Sequence, residues 1–358
     1  MEKVIGSTGR MDSLRRRATA PRLTVVLAVE GASEYALRAI ESVQAQDIHD
    51  LQFVIVKGDA TPGVAHELKT VADRDIHVDV VESPDAGLSA CFERGFAESR
   101  GRYVAFMRDF DWFAPKALDR CLKLALDREA DIVFPSVSFD RYDIHHERHS
   151  RMVGEGSFIH SGRDELRDGL CDLIASGRIA QSMGAMFKRS TLDVLGASST
   201  APSQLSLVAR AYSISQTVCA DDKAIFHTSA AAIAESFDPA MFNRACADAN
   251  ALRDLLDAFG LDVSSEAGRA CETAFFGALV ACIENLCLSP HSISSIERNA
   301  RLKDMLDASR TREMVEALKS HRRDLGLMFQ PIASAKPLSC IIRSHVADFL
   351  NLSMNKTA

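Results

Sequence analysis

Leu23-Thr24-Val25-Val26-Leu27-Ala28-Val29 is the stretch on which the fold turns. It is short, apolar and rich in β-branched residues, the composition of a strand covered on both faces. Working outward, residues 33–46 carry Leu37, Ile40 and Val43 at helical spacing, and Phe53-Val54-Ile55-Val56 is a second buried strand ended by Gly58 and Pro62. A helix over 63–72, the strand Val78-Asp79-Val80-Val81 and a helix over 88–98 follow. Next come the strand Tyr103-Val104-Ala105-Phe106-Met107, a helix over 115–129 and the strand Asp131-Ile132-Val133-Phe134. Strands alternating with helices at this rhythm predict an α/β fold, a mostly parallel sheet with helices on both faces. In such sheets ligands sit beyond the carboxyl ends of the strands. The residues directly after Val29, Val56, Val81 and Met107 are therefore the candidates for a site.

The pattern changes after residue 230, beyond which apolar residues recur at helical spacing with breaks near Gly260, Pro290 and Pro331–Pro337. Three regions are expected: a disordered basic tail over 1–20 containing Arg15-Arg16-Arg17, a sheet domain over 21–230 and an α-helical subdomain over 231–358. The 358 residues suffice for two such domains, with a core that needs no disulfide or metal staple. A net charge of −7 argues against nucleic acid as a partner, because polyphosphate binding relies on clustered Lys and Arg. Nine cysteines are scattered without a C-x-x-C pair, as reduced thiols in a cytoplasmic protein would be. No stretch has signal-peptide character or the ~18 consecutive apolar residues of a membrane span. Peripheral membrane contact through the basic tail and homo-oligomerisation stay open.

Five passages resemble glycosyltransferase family 2, in order and over about 200 residues. The first strand and helix end in an S-x-x-x-Q pattern at Ser42 and Gln46. The strand of residues 52–56 enters a turn where the family is acidic. Ser83-Pro84-Asp85-Ala86-Gly87-Leu88-Ser89, Arg94-Gly95-Phe96 and Gly101-Arg102-Tyr103-Val104-Ala105-Phe106-Met107 read like its P-D-x-G, N-x-G and G-x-Y-I-x-F-L elements. Arg108-Asp109-Phe110-Asp111-Trp112 stands where the family carries its metal-binding acids, and Gly184–Arg189 looks like the strand entering the acceptor half.

The resemblance implies a GT-A (Rossmann-like) fold and a sugar transfer from a nucleotide-sugar donor to a glycan or polysaccharide acceptor, with inversion at the anomeric carbon. It also implies Mn²⁺ or Mg²⁺, held by carboxylates, to neutralise the diphosphate leaving group. Carried over residue by residue, the donor-binding set is Glu30, Lys57, Asp59, Asp85, Arg108 and Asp109, and the metal set is Asp109, Asp111 and His227. Each has a plainer reading. Asp109 or Asp111 can cap the helix near Pro115, Asp59 can be a turn residue and Asp85 a helix cap. Arg108 can pair with the diphosphate in place of a metal or form a buried ion pair with a neighbouring Asp.

Three departures stand out. The acidic turn reads Lys57-Gly58-Asp59, Arg108 and Phe110 occupy the first and third acid positions, and Ser203-Gln204 stands where the Glu-Asp pair with the catalytic base belongs. Of the nearby acids, Asp193, Asp221 and Asp222, the last two precede a strand where solvated turn acids are common. The run His145-His146-Glu147-Arg148-His149 reads as a polar loop. A catalytically inactive GT-A relative is the rival reading. A nucleotidyltransferase fits less well, because Glu30-Gly31-Ala32-Ser33 is too short for a Gly-rich phosphate loop.

Overall fold

The computed structural model describes residues 20–30, 34–58, 62–83, 85, 87–142, 148–196, 203–229, 237–288 and 293–344. The expected tail, Asp59, and His145-His146-Glu147 fall outside them. Two compact units divide the chain. One comprises 1–166, 181–201 and 214–232, and the other 167–180, 202–213 and 233–358. The expected boundary at 230/231 falls beside only the last crossing, at 232/233. Residues 167–180 and 202–213 interrupt the sheet domain in sequence yet pack with the helical unit.

In the sheet unit, ten described strands form one sheet. Strands β1 (Leu23–Val29), β2 (Leu51–Lys57), β3 (Val78–Glu82) and β4 (Tyr103–Arg108) are mutually parallel in the order β3-β2-β1-β4. Helices α1 (Glu34–Gln44), α2 (Pro62–Arg74) and α3 (Leu88–Glu98) connect them. Every residue of β1 is buried, as its unbroken apolar run requires. Helix α3 approaches this strand closely at Gly95, where a Cβ would lie 2.2 Å from Val26 Cγ1.

The sheet continues through β9 (Met186–Lys188), β6 (Ile132–Tyr142) and β10 (Thr217–Ser229) to β5 (Asp111–Phe113). Strand β9 is antiparallel to both of its neighbours, whereas β6 and β10 run parallel. Strands β7 (Arg148–Val153) and β8 (Phe158–Ser161) add antiparallel partners to β6 and β10. The sequence suggests only residues 224–226 as the late strand. Its true length of 13 residues spans a register shift between Asp221 and Ile225 that breaks the apolar alternation.

The second unit is helical. Its long helix Glu266–Leu288 packs against Met241–Ala258 and Ser309–Leu318 around Phe275, Leu279, Ile283, Leu302, Met314 and Ile332. Residues 266–287 are long and apolar enough to cross a membrane, with mean hydropathy 1.4, but half of that window is buried inside the protein. This helix also carries Glu272, buried between Arg310 (2.7 Å) and Arg253 (3.1 Å). These contacts make it a core helix.

Candidate functional site

The parallel register brings the candidate strand ends to one edge of the sheet. Val29 pairs with Lys57, and Ala28 with Arg108. Glu30, Lys57, Arg108 and Asp109 therefore gather at the carboxyl ends of β1, β2 and β4. Asp109 reaches back to β1, where its Oδ2 accepts the Glu30 backbone N–H at 3.2 Å. The Asp109 side chain is nearly buried. Burial, reinforced by the Asp111 and Glu30 charges and opposed by the Glu30 N–H, pushes its carboxyl up to about 6. Lys57 is drawn outward to Glu82 at 2.8 Å. It lines a surface groove along β3 with Lys69, Asp79 and Arg100, away from Arg108 and the acids beside it. Asp85 is exposed, and α3 is capped at Gly87 with no side-chain bond.

Strand β5 and the loop after it are held by the family-like serine of the first helix and the glutamine just beyond it. Ser42 Oγ accepts the Phe113 N–H at 3.2 Å. Gln46 donates to the Ala114 carbonyl at 3.1 Å and accepts the Leu118 N–H at 3.2 Å. Ser42 and Gln46 thus fix the loop that follows β5, which explains a spacing that is only a pattern in the sequence.

Asp111 is consumed by an internal pair. Its Oδ2 accepts from the Arg108 backbone N–H (2.9 Å) and Nε (3.0 Å), and its Oδ1 from Nη2 (3.1 Å). Nη2 also donates to Thr228 Oγ1 at 3.0 Å. The guanidinium carbon lies 4.3 Å from the Phe110 ring centroid. The Asp111 side chain is 0% exposed and that of Arg108 16%. A loop carboxylate waiting for an ion would instead face solvent. The structure realises the ion-pair alternative for Arg108.

His227 is placed elsewhere. Thr228 sits opposite Asp111 in the β5–β10 pairing, whereas His227 sits opposite Trp112. Successive residues of a strand point to opposite faces, so His227 and Asp111 cannot converge on one ion. The His227 ring stacks on Trp112 at 5.0 Å, and its Nδ1 lies 2.9 Å from Asp140 Oδ2. The Arg38 guanidinium is 3.4 Å from the Trp112 ring centroid. Burial pushes the imidazole below its ordinary value against the pull of Asp140. Burial of Asp140 opposes ionisation, but bonds from Ser150, Ser138 and His227 outweigh it and hold this carboxyl low. The sequence offers no signal for Asp140, which enters only through the pairing of β6 with β10.

The donor set does not fit the expected cation. Among the described residues no three His, Cys, Asp or Glu side chains come together as metal ligands. Asp111 has no free oxygen, and Phe110 supplies none. Among the described residues Asp109 and the neighbouring Glu30 are fewer than the several oxygen ligands such a cation prefers.

The other acids near the expected base are also engaged. Asp221 pairs with Arg120 at 2.7 Å, Asp222 accepts from Ser157, and Asp193 lies 3.7 Å from Arg189. In the helical unit, Ser203 caps the helix Gln204–Ile214 by accepting the Ser206 N–H at 3.0 Å, and it donates to Asp248. Burial raises the Asp248 carboxyl against that bond.

The sheet order and the site at its carboxyl edge define a GT-A type domain. Residues 24–195 match the model described as Glycosyl transferase family 2. The chain carries a family 2 glycosyltransferase domain over those residues. The protein EpsH of Bacillus subtilis (strain 168), a glycosyltransferase by name, is 29% identical over 116 residues, 32% of this chain and 33% of its own. Glycosyltransferase GlyA of Streptococcus pneumoniae serotype 4 is 25% identical over 111 residues, 31% of this chain and 16% of its own. This chain thus spans a third or less of these two relatives' length. The crystal structure of S. aureus TarS 1–349 in complex with UDP superposes with a TM-score of 0.59 at 10% identity, covering 91% of each chain. That likeness extends the shared fold over most of the chain.

Proposed function

We propose that this protein is a glycosyltransferase that moves a sugar from a nucleoside-diphosphate donor to a hydroxyl of a glycan or polysaccharide. The observation that carries the reading is the turn Arg108–Asp111. It lies directly after β4 and is tied to the end of β1 by Asp109, inside the segment that matches the family model. This is the sheet edge where ligands bind in open α/β folds. In the inverting displacement that the resemblance implies, the acceptor oxygen bonds to the anomeric carbon as the bond to the diphosphate oxygen breaks. The electron pair leaves on the diphosphate, and the acceptor proton passes to a base. Nine free cysteines support a cytoplasmic setting as part of the same proposal.

The test is a thermal-shift panel of UDP-, GDP-, CDP- and dTDP-sugars on the full chain, because a ligand bound only by the native state raises the Tm. At least one sugar nucleotide is expected to do so. No shift with any of them would refute the reading. A second reading is a GT-A relative that binds without turnover, favoured by Ser203 acting as a helix cap where the family's base belongs. Donor binding with neither transfer nor slow hydrolysis of the sugar nucleotide would select it.

A further inference from the structure

The Arg108 guanidinium is fixed more firmly than a solvent-facing arginine. Two of its nitrogens are bound to Asp111 and Thr228, and the flat group lies over the Phe110 ring. Among the described residues Nη1 has no hydrogen-bond partner, and the side chain keeps 16% of its surface. The cation is therefore held in place on one side and open on the other. With Nε and Nη2 spent on Asp111 and Thr228, Nη1 keeps its N–H donors for a phosphate oxygen, and holding the group in place removes the ordering cost that a flexible side chain incurs on binding.

Read in the family's register, the first and third acid positions of this turn are occupied by this arginine and by Phe110, while Asp111 keeps the register of the last. The arginine therefore lies where the cation's charge would be needed. Its partner Asp111 is spent on holding it, since every Asp111 bond described goes to Arg108.

We infer that this site binds a nucleoside diphosphate without a divalent cation, the open edge of Arg108 supplying the positive charge for the phosphate oxygens. The inference rests on the nucleotide-sugar reading above and specifies how that ligand is held. It also makes Asp111 a positioning residue rather than a metal ligand.

Calorimetric titration of the full chain with UDP, GDP, CDP and dTDP, each in EDTA and in Mn²⁺, tests it. For the nucleotide that binds, Kd should agree within about twofold between the two conditions, after allowance for the Mn²⁺–nucleotide complex in solution. The paramagnetic signal of Mn²⁺ should not change when protein is added to Mn²⁺ and nucleotide. The double variant Arg108→Met with Asp111→Asn removes both charges, so no unpaired ion is left in the core to unfold it. Its Kd should rise by at least about tenfold, and that of Arg108→Lys, which keeps the charge but cannot hold Asp111 and Thr228 while leaving a nitrogen for the phosphate, by less. Binding that requires Mn²⁺, or unchanged affinity in a folded double variant, would overturn the inference while leaving the transferase reading in place. No binding by any nucleotide in either condition would overturn both.

Discussion

Asp109→Asn should stabilise the sheet unit, and by an amount that depends on pH. The native carboxyl sits at about 6 and the unfolded one near 3.8. Each tenfold change in proton affinity is worth about 1.4 kcal/mol, so the charged form costs the folded state about 3 kcal/mol at neutral pH. The sign follows from the direction of the shift. Because the native pKa is raised, the favourable contribution is complete below the unfolded value and is lost as pH rises through the native one. Asparagine never ionises, and its Oδ1 can still accept the Glu30 N–H. All other titrating groups are common to both proteins, so the difference in stability isolates Asp109. Urea unfolding can be followed by Trp112, the single tryptophan, which lies buried in β5 and so reports the sheet unit alone. The variant's advantage should grow by about 2–3 kcal/mol between about pH 4 and pH 7.5. An advantage that does not vary with pH, or a variant less stable at pH 7.5, would refute the claim that burial and neighbouring charge strain Asp109.

Asp111→Ala leaves the Arg108 guanidinium unpaired and should destabilise the same unit by about 3 kcal/mol in the Trp112 assay, with or without Mn²⁺; a nearly unchanged stability would restore the waiting-ligand reading. The His227 ring stacks on Trp112, so its protonation should quench the indole with a midpoint below 6.5, and the step should vanish in His227→Gln; a midpoint above that value would contradict the burial of the imidazole. Ser203→Ala removes the cap of the helix Gln204–Ile214 and should cost about 1 kcal/mol in urea unfolding of the helical unit followed by circular dichroism.

Apart from the three-residue β5, which the sequence does not signal, the strand-and-helix order of residues 23–134 was legible because each element reports its own environment. A strand buried on both faces must be apolar throughout, as β1 is, and a helix must repeat near 3.6. The placement of Glu30, Lys57, Arg108 and Asp109 at one edge follows from that order, since parallel strands end together. Other features depended on partners distant in sequence. The 13 residues of β10 are hidden by their own register shift, and the segments 167–180 and 202–213 join the helical unit by packing that no local pattern records. The same limit applies within the site. Residue types at 108–111 allow a metal pair, a helix cap or an ion pair. Which of these forms depends on whether Arg108 turns back onto Asp111, on Thr228 arriving 120 residues later to accept a second bond from Nη2, and on the pleat of β10. The periodicity of the chain set the edge where the site lies. Strand pairing and burial decided that Asp111 holds Arg108 and that His227 faces the other way.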